Sequence, residues 1–285
     1  MPEGDTIFRT ARSLSRTLTG KPITAFRSTY PLLTRFNDGT PLLGQTVVNV
    51  ESRGKWLLMH FSGGATLATH MLMSGSWHIY RHGQRWQQPP ANMRIILENA
   101  EFVAVGFKVP IAEMHSAQSL ARHKKIPRLD CDVLHPAFDA EAVFQRLMAR
   151  GKEAIADALL DQRVLAGVGN VFKSEICFVT GIHPFAPVAA LTQEQLRTAV
   201  ATAQRLIAAN VLEDSPDRIV TYRGLDRRTT HDSSPGANLW VYGRQGQPCR
   251  RCGEPVLRQL QGANARVTFW CPRCQTMPGD ENSSL

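Results

Sequence analysis

The order of apolar and polar residues predicts one helix near the N-terminus, followed by a series of strands. Between Asp5 and about Leu18, apolar residues recur at steps of three and four, which is the period of an amphipathic helix. After it come short segments rich in Val, Ile, Leu and aromatic residues and separated by Gly, Ser or Asn, a pattern that predicts strands. The predicted strands are Thr46–Val50, Lys55–Phe61, Ala65–His70, Ser76–Arg81, Met93–Glu98 and Glu101–Phe107. Close-set short strands of this kind favour an antiparallel sandwich or barrel.

The pattern becomes helical after a polar, proline-containing stretch at residues 123–136. Helices are predicted over Asp139–Ala149, Glu153–Gln162, Asn170 to about Thr180, and Thr192 to about Asn210. The turn Leu165–Gly169 is too rich in glycine for a helix interior, so Asn170 can act as the N-cap of the third helix, and Gly181 ends that helix. The fourth opens with a capping-box pattern.

The last part of the chain combines a polar stretch, a cysteine-rich segment and a tail. Residues 213–238 are polar and basic and contain glycine and proline, which predicts a long loop. Residues 276–285 predict a disordered tail. No internal repeat is visible.

The charge of the chain indicates a polyanionic partner. Its 285 residues include 33 Lys and Arg against 24 Asp and Glu, a net charge of +9. Such a surplus favours nucleic acid over membrane, although a basic surface without a partner is the alternative. No segment is long and apolar enough to span a bilayer, and the N-terminus lacks the apolar stretch of a signal peptide. We therefore expect a cytoplasmic, nucleoid-associated protein.

Four of the six cysteines form two pairs with the spacing of a zinc site. Cys249 and Cys252 make one C-x2-C pair, and Cys271 and Cys274 make the other, with eighteen residues between the pairs. Four thiolates can surround one Zn²⁺ as a tetrahedron and leave no open position, so the zinc is expected to be structural, not catalytic. The intervening segment predicts a β-hairpin with strands Val256–Leu260 and Arg266–Trp270.

The two remaining cysteines do not belong to either pair. In a reducing compartment they are not expected to form a disulfide. We interpret Cys131 and Cys177 as ordinary buried thiols.

Three stretches of the chain, taken together, carry a family resemblance. They are Met1-Pro2-Glu3-Gly4-Asp5, Leu159-Leu160-Asp161-Gln162-Arg163-Val164-Leu165-Ala166-Gly167-Val168-Gly169-Asn170, and Arg266-Val267-Thr268-Phe269-Trp270-Cys271-Pro272-Arg273-Cys274-Gln275. In this order and at these separations, they resemble the formamidopyrimidine-DNA glycosylase/endonuclease VIII family over nearly the whole chain.

The resemblance implies an α+β fold of two domains. It places an N-terminal catalytic β-sandwich flanked by helices at residues 1–122, a linker at 123–136 and a helix–two-turn–helix domain at 137–238. A four-cysteine zinc-finger β-hairpin follows at 239–275. The implied partner is damaged DNA, and the sequence gives no sign of oligomerisation, so we expect a monomer.

The resemblance assigns the chemistry to the first residues of the chain. Once Met1 is removed, Pro2 carries a secondary amine that can attack the sugar C1′ and form a Schiff base. Glu3 is the implied proton-transfer group for the opening deoxyribose. The alternatives are that Met-Pro is a common chain start and that Glu3 is only a negative charge at a helix N-terminus.

Two basic residues match family positions that bind phosphate. Lys55, in Ser52-Arg53-Gly54-Lys55-Trp56, corresponds to a lysine that binds phosphate beside the lesion and assists β-elimination. Arg266 corresponds to an arginine on the zinc hairpin that grips flanking phosphates and is linked to δ-elimination. The alternatives are a solvated lysine and an ordinary surface arginine.

Further positions are implied to contact DNA. Asn170 and the preceding glycine turn offer amides to a phosphate, although Asn170 could be only an N-cap. Arg128 resembles a linker arginine that contacts DNA, but Asp130 and Cys131 stand where the family usually has Gly-Pro. The residues Met71, Leu72 and Met73 form the candidate loop that fills the gap left by a flipped base, or they are core residues.

The lesion depends on the branch of the family. The chain begins Pro-Glu-Gly-Asp-Thr, and Phe102–Pro110 lacks the Arg-Arg-Phe-Gly wedge of the formamidopyrimidine branch. Both features resemble the endonuclease VIII branch, which favours oxidised pyrimidines. We therefore predict a base-excision-repair glycosylase with AP lyase activity on oxidised pyrimidines. The alternatives are an 8-oxoguanine or formamidopyrimidine glycosylase of the same chemistry and a non-catalytic zinc-containing nucleic-acid-binding protein.

Overall fold

Two four-stranded antiparallel sheets make up most of the first half of the chain. One has the order β1-β6-β7-β5, from Ala25–Ser28, Met93–Glu98, Phe102–Phe107 and Ser76–Arg81. The other has the order β2-β3-β4-β8, from Val47–Arg53, Trp56–Phe61, Ala65–His70 and Ile111–Ser116. Apolar residues of both sheets share one buried core, so the sheets form the predicted sandwich.

The computed structural model describes residues 2–212, 219–222, 236 and 238–279. Within it the chain divides into two units, residues 1–127 and 128–285. Most of the loop predicted at 213–238 and most of the tail predicted at 276–285 lie outside the described residues. No helix among the described residues is long and apolar enough to cross a membrane.

The predicted N-terminal helix is confirmed as α1, Gly4–Leu18. Its buried positions, Ile7, Ala11, Leu14 and Leu18, face the sandwich core, as the three- and four-residue period requires. The first unit also contains α2, Pro31–Gly39, and α3, Ala117–Ala121.

The elements missed by the pattern, β1, β8, α2 and α3, bury little of their surface. Residues of β1 and β8 are mostly half-buried, and α2 buries only Leu33. Without a fully apolar face, neither a two-residue nor a 3.6-residue period is visible in the sequence.

The second unit is helical. Its helices are α4 (Ala140–Met148), α5 (Ile155–Leu160), α6 (Asn170–Thr180) and α7 (Gln193–Ala209). Thr192 and Gln195 form the predicted capping box, and Gly181 ends α6 with a left-handed φ of 72°. The prediction that Asn170 caps α6 was wrong: the N-cap is Gly169, in extended backbone, and Asn170 is the first residue of the helix.

The zinc hairpin consists of β9, Leu257–Gln261, paired with β10, Arg266–Trp270. It packs with Phe178 of α6 and with Val241 in a small core of its own. The predicted α+β fold, with a sandwich, a helical second part and a cysteine-bearing hairpin, is confirmed.

The stretch 123–136, predicted as a linker, contains the division between the units. On its N-terminal side, the Trp56 indole donates to the Lys125 carbonyl at 3.2 Å. On its C-terminal side, Cys131 and Val133 are buried in the core of the second unit. Both ends of the stretch are therefore packed.

Candidate active site and metal centre

The N-terminal residues are held by the first turn of α1. Pro2 is partly exposed, whereas Glu3 is fully buried at the N-cap position of α1 with extended backbone. Asp5 is also fully buried, and Arg9 lies 3.1 Å from its carboxylate. Burial raises the pKa of Asp5, and the charge of Arg9 opposes that rise. A reactive amine at Pro2 would therefore lie next to the carboxyl group of Glu3, which is shielded from water.

Lys55 lies in the turn that joins β2 to β3. Gly54 adopts a positive φ of 58° there, and Lys55 is half-buried. The next residue, Trp56, pairs across the sheet with His70 at the end of β4. Lys55 therefore lies close to the loop that follows His70.

His70 is held neutral beside Lys55. Burial, reinforced by the positive charge of Lys55, lowers the pKa of His70 from 6.5 to about 4. Its Nδ1 accepts a hydrogen bond from the Leu72 amide at 3.1 Å, which assigns the ring proton to Nε2. The sequence carries no signal for this contact.

The depressed pKa of His70 predicts a loss of stability in mild acid. Between 6.5 and about 4 the unfolded chain binds a proton at this ring that the folded chain does not, so stability falls as the pH drops through this window. Because the ring is partly exposed, we expect a contribution of about 1 kcal/mol between roughly pH 7.5 and pH 5. Urea unfolding of the wild type and His70→Gln at both pH values measures it. Equal losses in the two proteins would contradict the assignment.

The candidate gap-filling loop follows His70. Leu72 is 44% exposed, in a left-handed conformation with φ of 44°, and Met73 is 69% exposed. Met71 is only 3% exposed and belongs to the sandwich core. The prediction that it fills the gap left by a flipped base is therefore corrected: Met71 is a core residue. A Cβ at Gly75 would lie 2.9 Å from the Met71 carbonyl oxygen, so this tight turn needs glycine.

The turn before α6 is organised by a side chain that the sequence analysis did not assign. Gln162 donates through Nε2 to the carbonyls of Leu160 and Val168, at 2.8 and 3.0 Å, and accepts from the Gly167 amide at 3.0 Å. Gly167 has a positive φ of 95°. The turn leads directly into the N-terminus of α6.

Asn170 occupies the first position of α6. It is only 7% exposed, and its Oδ1 atom has no hydrogen-bond partner among the described residues. A buried amide oxygen without a partner is costly, whereas rotation of the amide would present the NH₂ group as a donor. Asn170 therefore has an amide group that can bind a partner outside the described residues.

The two arginine candidates differ in what surrounds them. Arg266 is exposed at the start of β10, beside the hairpin turn. Arg128 forms two hydrogen bonds to Asp130, at 3.2 and 3.1 Å, and Asp130 also binds Arg146. Asp130, which departs from the family pattern, therefore pairs with Arg128. A DNA phosphate would have to compete with Asp130 for this arginine.

The four paired cysteines have the geometry of a zinc centre. Their Sγ atoms lie within 4.8 Å of one another, with Cys249 and Cys274 at 3.9 Å and Cys252 and Cys271 at 3.4 Å. In a tetrahedron with Zn–S bonds of about 2.3 Å, sulfur atoms are roughly 3.8 Å apart. Gly253 gives the first knuckle its positive φ of 82°. The donor set fits a single structural Zn²⁺.

The other two cysteines are buried thiols, as predicted. Cys131 and Cys177 are each at most 1% exposed. Burial raises the pKa of Cys177 to about 12, so this thiol stays protonated and unreactive.

A second cluster, Glu113, His115 and His123, does not fit a metal. Glu113 Oε2 lies 3.0 Å from the Nε2 atoms of both histidines. However, His123 Nδ1 accepts hydrogen bonds from the backbone amides of Lys125 and Ile126, so its proton is on Nε2, pointing at Glu113. A metal at Nε2 would need the opposite tautomer. The cluster is a hydrogen-bond network that fastens the end of the first unit.

The predicted residues thus fall into groups within each unit. In the first, Lys55 and the exposed loop residues Leu72 and Met73 lie at one end of a sheet, and Pro2 and Glu3 lie directly before α1. In the second are Arg128, Asn170, Arg266 and the zinc cysteines.

Three domain families match the chain. The formamidopyrimidine-DNA glycosylase N-terminal domain matches residues 1–108, and the formamidopyrimidine-DNA glycosylase H2TH domain matches residues 129–218. The zinc finger found in FPG and IleRS matches residues 246–276.

Whole-length relatives and solved structures agree with these matches. The chain is 39% identical to the probable endonuclease 8 2 of Streptomyces coelicolor, covering 98% of this chain and 95% of the relative. It is 38% identical to the DNA-(apurinic or apyrimidinic site) lyase Nei2 of Mycolicibacterium smegmatis, covering 97% and 99%. A Lactococcus lactis formamidopyrimidine-DNA glycosylase, noncovalently bound to DNA containing an AP site, superposes with a TM-score of 0.77 at 22% identity, covering 96% and 99%. The chain belongs to the formamidopyrimidine-DNA glycosylase/endonuclease VIII family.

Proposed function

We propose that this chain, a DNA glycosylase with AP lyase activity, uses Pro2 as its nucleophile and removes oxidised pyrimidines from DNA. The observation that carries the proposal is the arrangement at the start of α1, where a partly exposed Pro2 precedes a fully buried Glu3.

Pro2 suits a covalent mechanism. An unperturbed α-amino group has a pKa of roughly 8, so a useful fraction is neutral at cellular pH. The amine nitrogen bonds to C1′, and the C1′–base bond breaks with its electron pair leaving on the base. The nitrogen loses its proton, which neutralises the departing base, and its lone pair then opens the C1′–O4′ bond to give an iminium between Pro2 and C1′.

Glu3 suits proton transfer to the opening sugar. The buried carboxyl group of Glu3 is proposed to deliver a proton to O4′ as the C1′–O4′ bond opens. Loss of a C2′ proton from the iminium then expels the 3′ phosphate, which is β-elimination. Water hydrolyses the iminium and restores the free amine.

Phosphate contacts position the DNA for this chemistry. Lys55 on the first unit, and Asn170 with Arg266 on the second, are the proposed contacts. The exposed side chains of Leu72 and Met73 are proposed to occupy the gap that the flipped nucleotide leaves. Arg128 is a weaker candidate because Asp130 already pairs with it.

The choice of pyrimidines depends on two observations. Residues 102–110 lack the Arg-Arg-Phe-Gly wedge, and the relatives named endonuclease 8 share 33–39% of their residues with nearly the whole chain. The structural neighbours are formamidopyrimidine-DNA glycosylases, but at 22% identity that likeness supports the fold alone. An 8-oxoguanine-directed enzyme is therefore the second candidate.

Borohydride trapping on a panel of lesions tests this proposal. Oligonucleotide duplexes carry an abasic site, thymine glycol or 8-oxoguanine, and borohydride reduces an iminium to a stable protein–DNA crosslink. We expect crosslinks with the abasic site, and with thymine glycol at least about tenfold faster than with 8-oxoguanine. Faster reaction with 8-oxoguanine would select the other branch. No crosslink at the abasic site, from protein shown to lack Met1 and to contain zinc, would favour a non-catalytic binding protein.

The cytoplasmic location and the monomeric state stay predictions from the sequence. Light scattering of the protein with and without duplex DNA would decide the second.

A further inference from the structure

Lys173, on α6, is a fully buried cation. Its exposed fraction is 0%, and a charged amine removed from water must be compensated by hydrogen bonds and nearby charge. Its Nζ donates to the Val267 carbonyl at 3.2 Å and to the Thr268 hydroxyl at 2.7 Å. Both acceptors lie on β10, directly after Arg266, so Lys173 joins α6 to the part of the zinc hairpin that carries the arginine.

The hydrogen bonds continue from Thr268 to the opposite strand. Its hydroxyl donates to Gln261 Oε1 at 2.7 Å, and Gln261 Nε2 donates to the Pro184 carbonyl at 3.0 Å. Gln261 is the cross-strand partner of Arg266 in the hairpin register. The strand pair beneath Arg266 is therefore tied to the helical unit from both sides.

Asp157, on α5, is the acidic residue near Lys173 and the hairpin turn. The positive charge of Lys173 acts to lower the pKa of Asp157, although burial raises it overall. A Cβ at Gly262, the first residue after β9, would lie 2.5 Å from Asp157 Oδ1, so the hairpin turn approaches α5 closely. The turn beside Arg266 thus lies directly against the helices.

The same helix also presents the candidate phosphate site. Lys173 is one turn after Asn170, and its amide donates to the Gly169 carbonyl at 2.9 Å. One turn of α6 therefore carries both Asn170, the proposed phosphate contact, and the ammonium group that binds β10.

We propose that Lys173 is a positioning residue that fixes Arg266 relative to the phosphate site at the N-terminus of α6. Because Lys173 is buried, it touches no DNA and acts only through β10. The inference rests on the proposed function of Arg266 as a phosphate-binding residue, and it adds a residue whose replacement disables Arg266 although the arginine itself is intact.

The test is the salt dependence of DNA affinity in Lys173→Met. Binding is measured at several NaCl concentrations on a duplex with a tetrahydrofuran abasic analogue, which cannot form a Schiff base. Removing one phosphate-binding cation lowers the slope of log K against log salt by about 0.9. We expect Lys173→Met to lower the slope by about this amount, as Arg266→Ala does, and the double variant to lower it no further than either change alone.

The controls separate positioning from general damage. Lys152→Met removes an exposed lysine of the same unit and is expected to leave the slope unchanged. Bound zinc and the circular dichroism spectrum should match the wild type in Lys173→Met, since the Phe269 amide still bonds to Ser174 Oγ at 3.4 Å and the cysteines still bind the metal. If Lys173→Met does not fold, Thr268→Val interrupts the same link and should lower the slope equally.

Two results would overturn the proposal: an unchanged slope in a folded, zinc-loaded variant, or reductions in slope that add in the double variant. Trapping of wild-type protein on a natural abasic site is done in parallel. Its absence would refute the proposed chemistry, whatever the slopes show, so the two failures are distinguishable.

Discussion

Replacing Pro2 with glycine is expected to lower both base excision and strand cleavage by about 10²–10⁴-fold, with DNA affinity nearly unchanged. Glycine leaves a primary amine at the chain start, so the reduction comes from the absence of the secondary amine and of the ring that holds the backbone before Glu3. Because Pro2 lies outside α1 and is not part of the sandwich core, the fold should not change. Single-turnover cleavage and borohydride crosslinking measure the effect, with binding measured on the tetrahydrofuran duplex.

Glu3→Gln is the matched control for Pro2→Gly. It removes proton transfer and keeps the nucleophile, so excision of thymine glycol should fall while crosslinking to a preformed abasic site persists. Mass spectrometry must show that Met1 is absent from each protein. Loss of DNA binding in parallel with activity in Pro2→Gly would indicate damage to the fold and would remove the support for a catalytic role.

Replacing Cys249 with serine is expected to remove the zinc and, with it, the ordered hairpin. A two-stranded hairpin is marginal alone in water, and the core that covers it contains only a few apolar side chains, among them Phe178, Val241 and Phe269. Zinc binding at four cysteines supplies roughly 10 kcal/mol or more of folding free energy in isolated zinc fingers, far above what that core can replace. We expect metal content to fall from one to near zero per chain and DNA affinity to fall by about 10²-fold or more.

The control for the zinc variant is Cys131→Ser. The Cys131 thiol lies 3.1 Å from the Arg128 carbonyl, where a serine hydroxyl can also donate, so this change should keep both metal and affinity. Atomic absorption and DNA titration are run on both proteins. Full metal content in Cys249→Ser would rule out Cys249 as a ligand.

The parts of the fold that could be predicted are those with one strongly apolar face. The helix α1 and the central strands β3, β4, β6 and β7 bury such faces, and their positions were predicted to within a residue or two. The half-buried β1 and β8 carry no comparable pattern. The sandwich topology itself came from the family resemblance and not from periodicity.

The candidate site divides in the same way. The zinc ligands were predictable because two residues between thiolates fit one metal, and Pro2 and Glu3 because their place at the chain start is part of a family motif. The roles of Gln162, His70 and Lys173 were not, since each depends on contacts between segments that are distant in sequence or on burial that a lone polar residue does not reveal. For Met71 the sequence indicated exposure in a loop, but the side chain is buried in the core while its neighbours Leu72 and Met73 are exposed.

The five residues of β10 separate the zinc site from Arg266, so a small rotation at the metal becomes a larger displacement at the arginine. Cys271 and the metal are at one end, and the Cα atom of Arg266 is at the other, roughly 17 Å from that of Cys271 at about 3.3 Å per residue. An angular error of about 5° at the metal would shift the arginine by about 1.5 Å at that length. A misplacement of about 1 Å in a reacting group can lower the reaction rate by about two orders of magnitude. The zinc site alone is therefore too far from Arg266 to fix its position within about 1 Å. The hydrogen bonds of Lys173 to Val267 and Thr268 hold the strand close to the arginine.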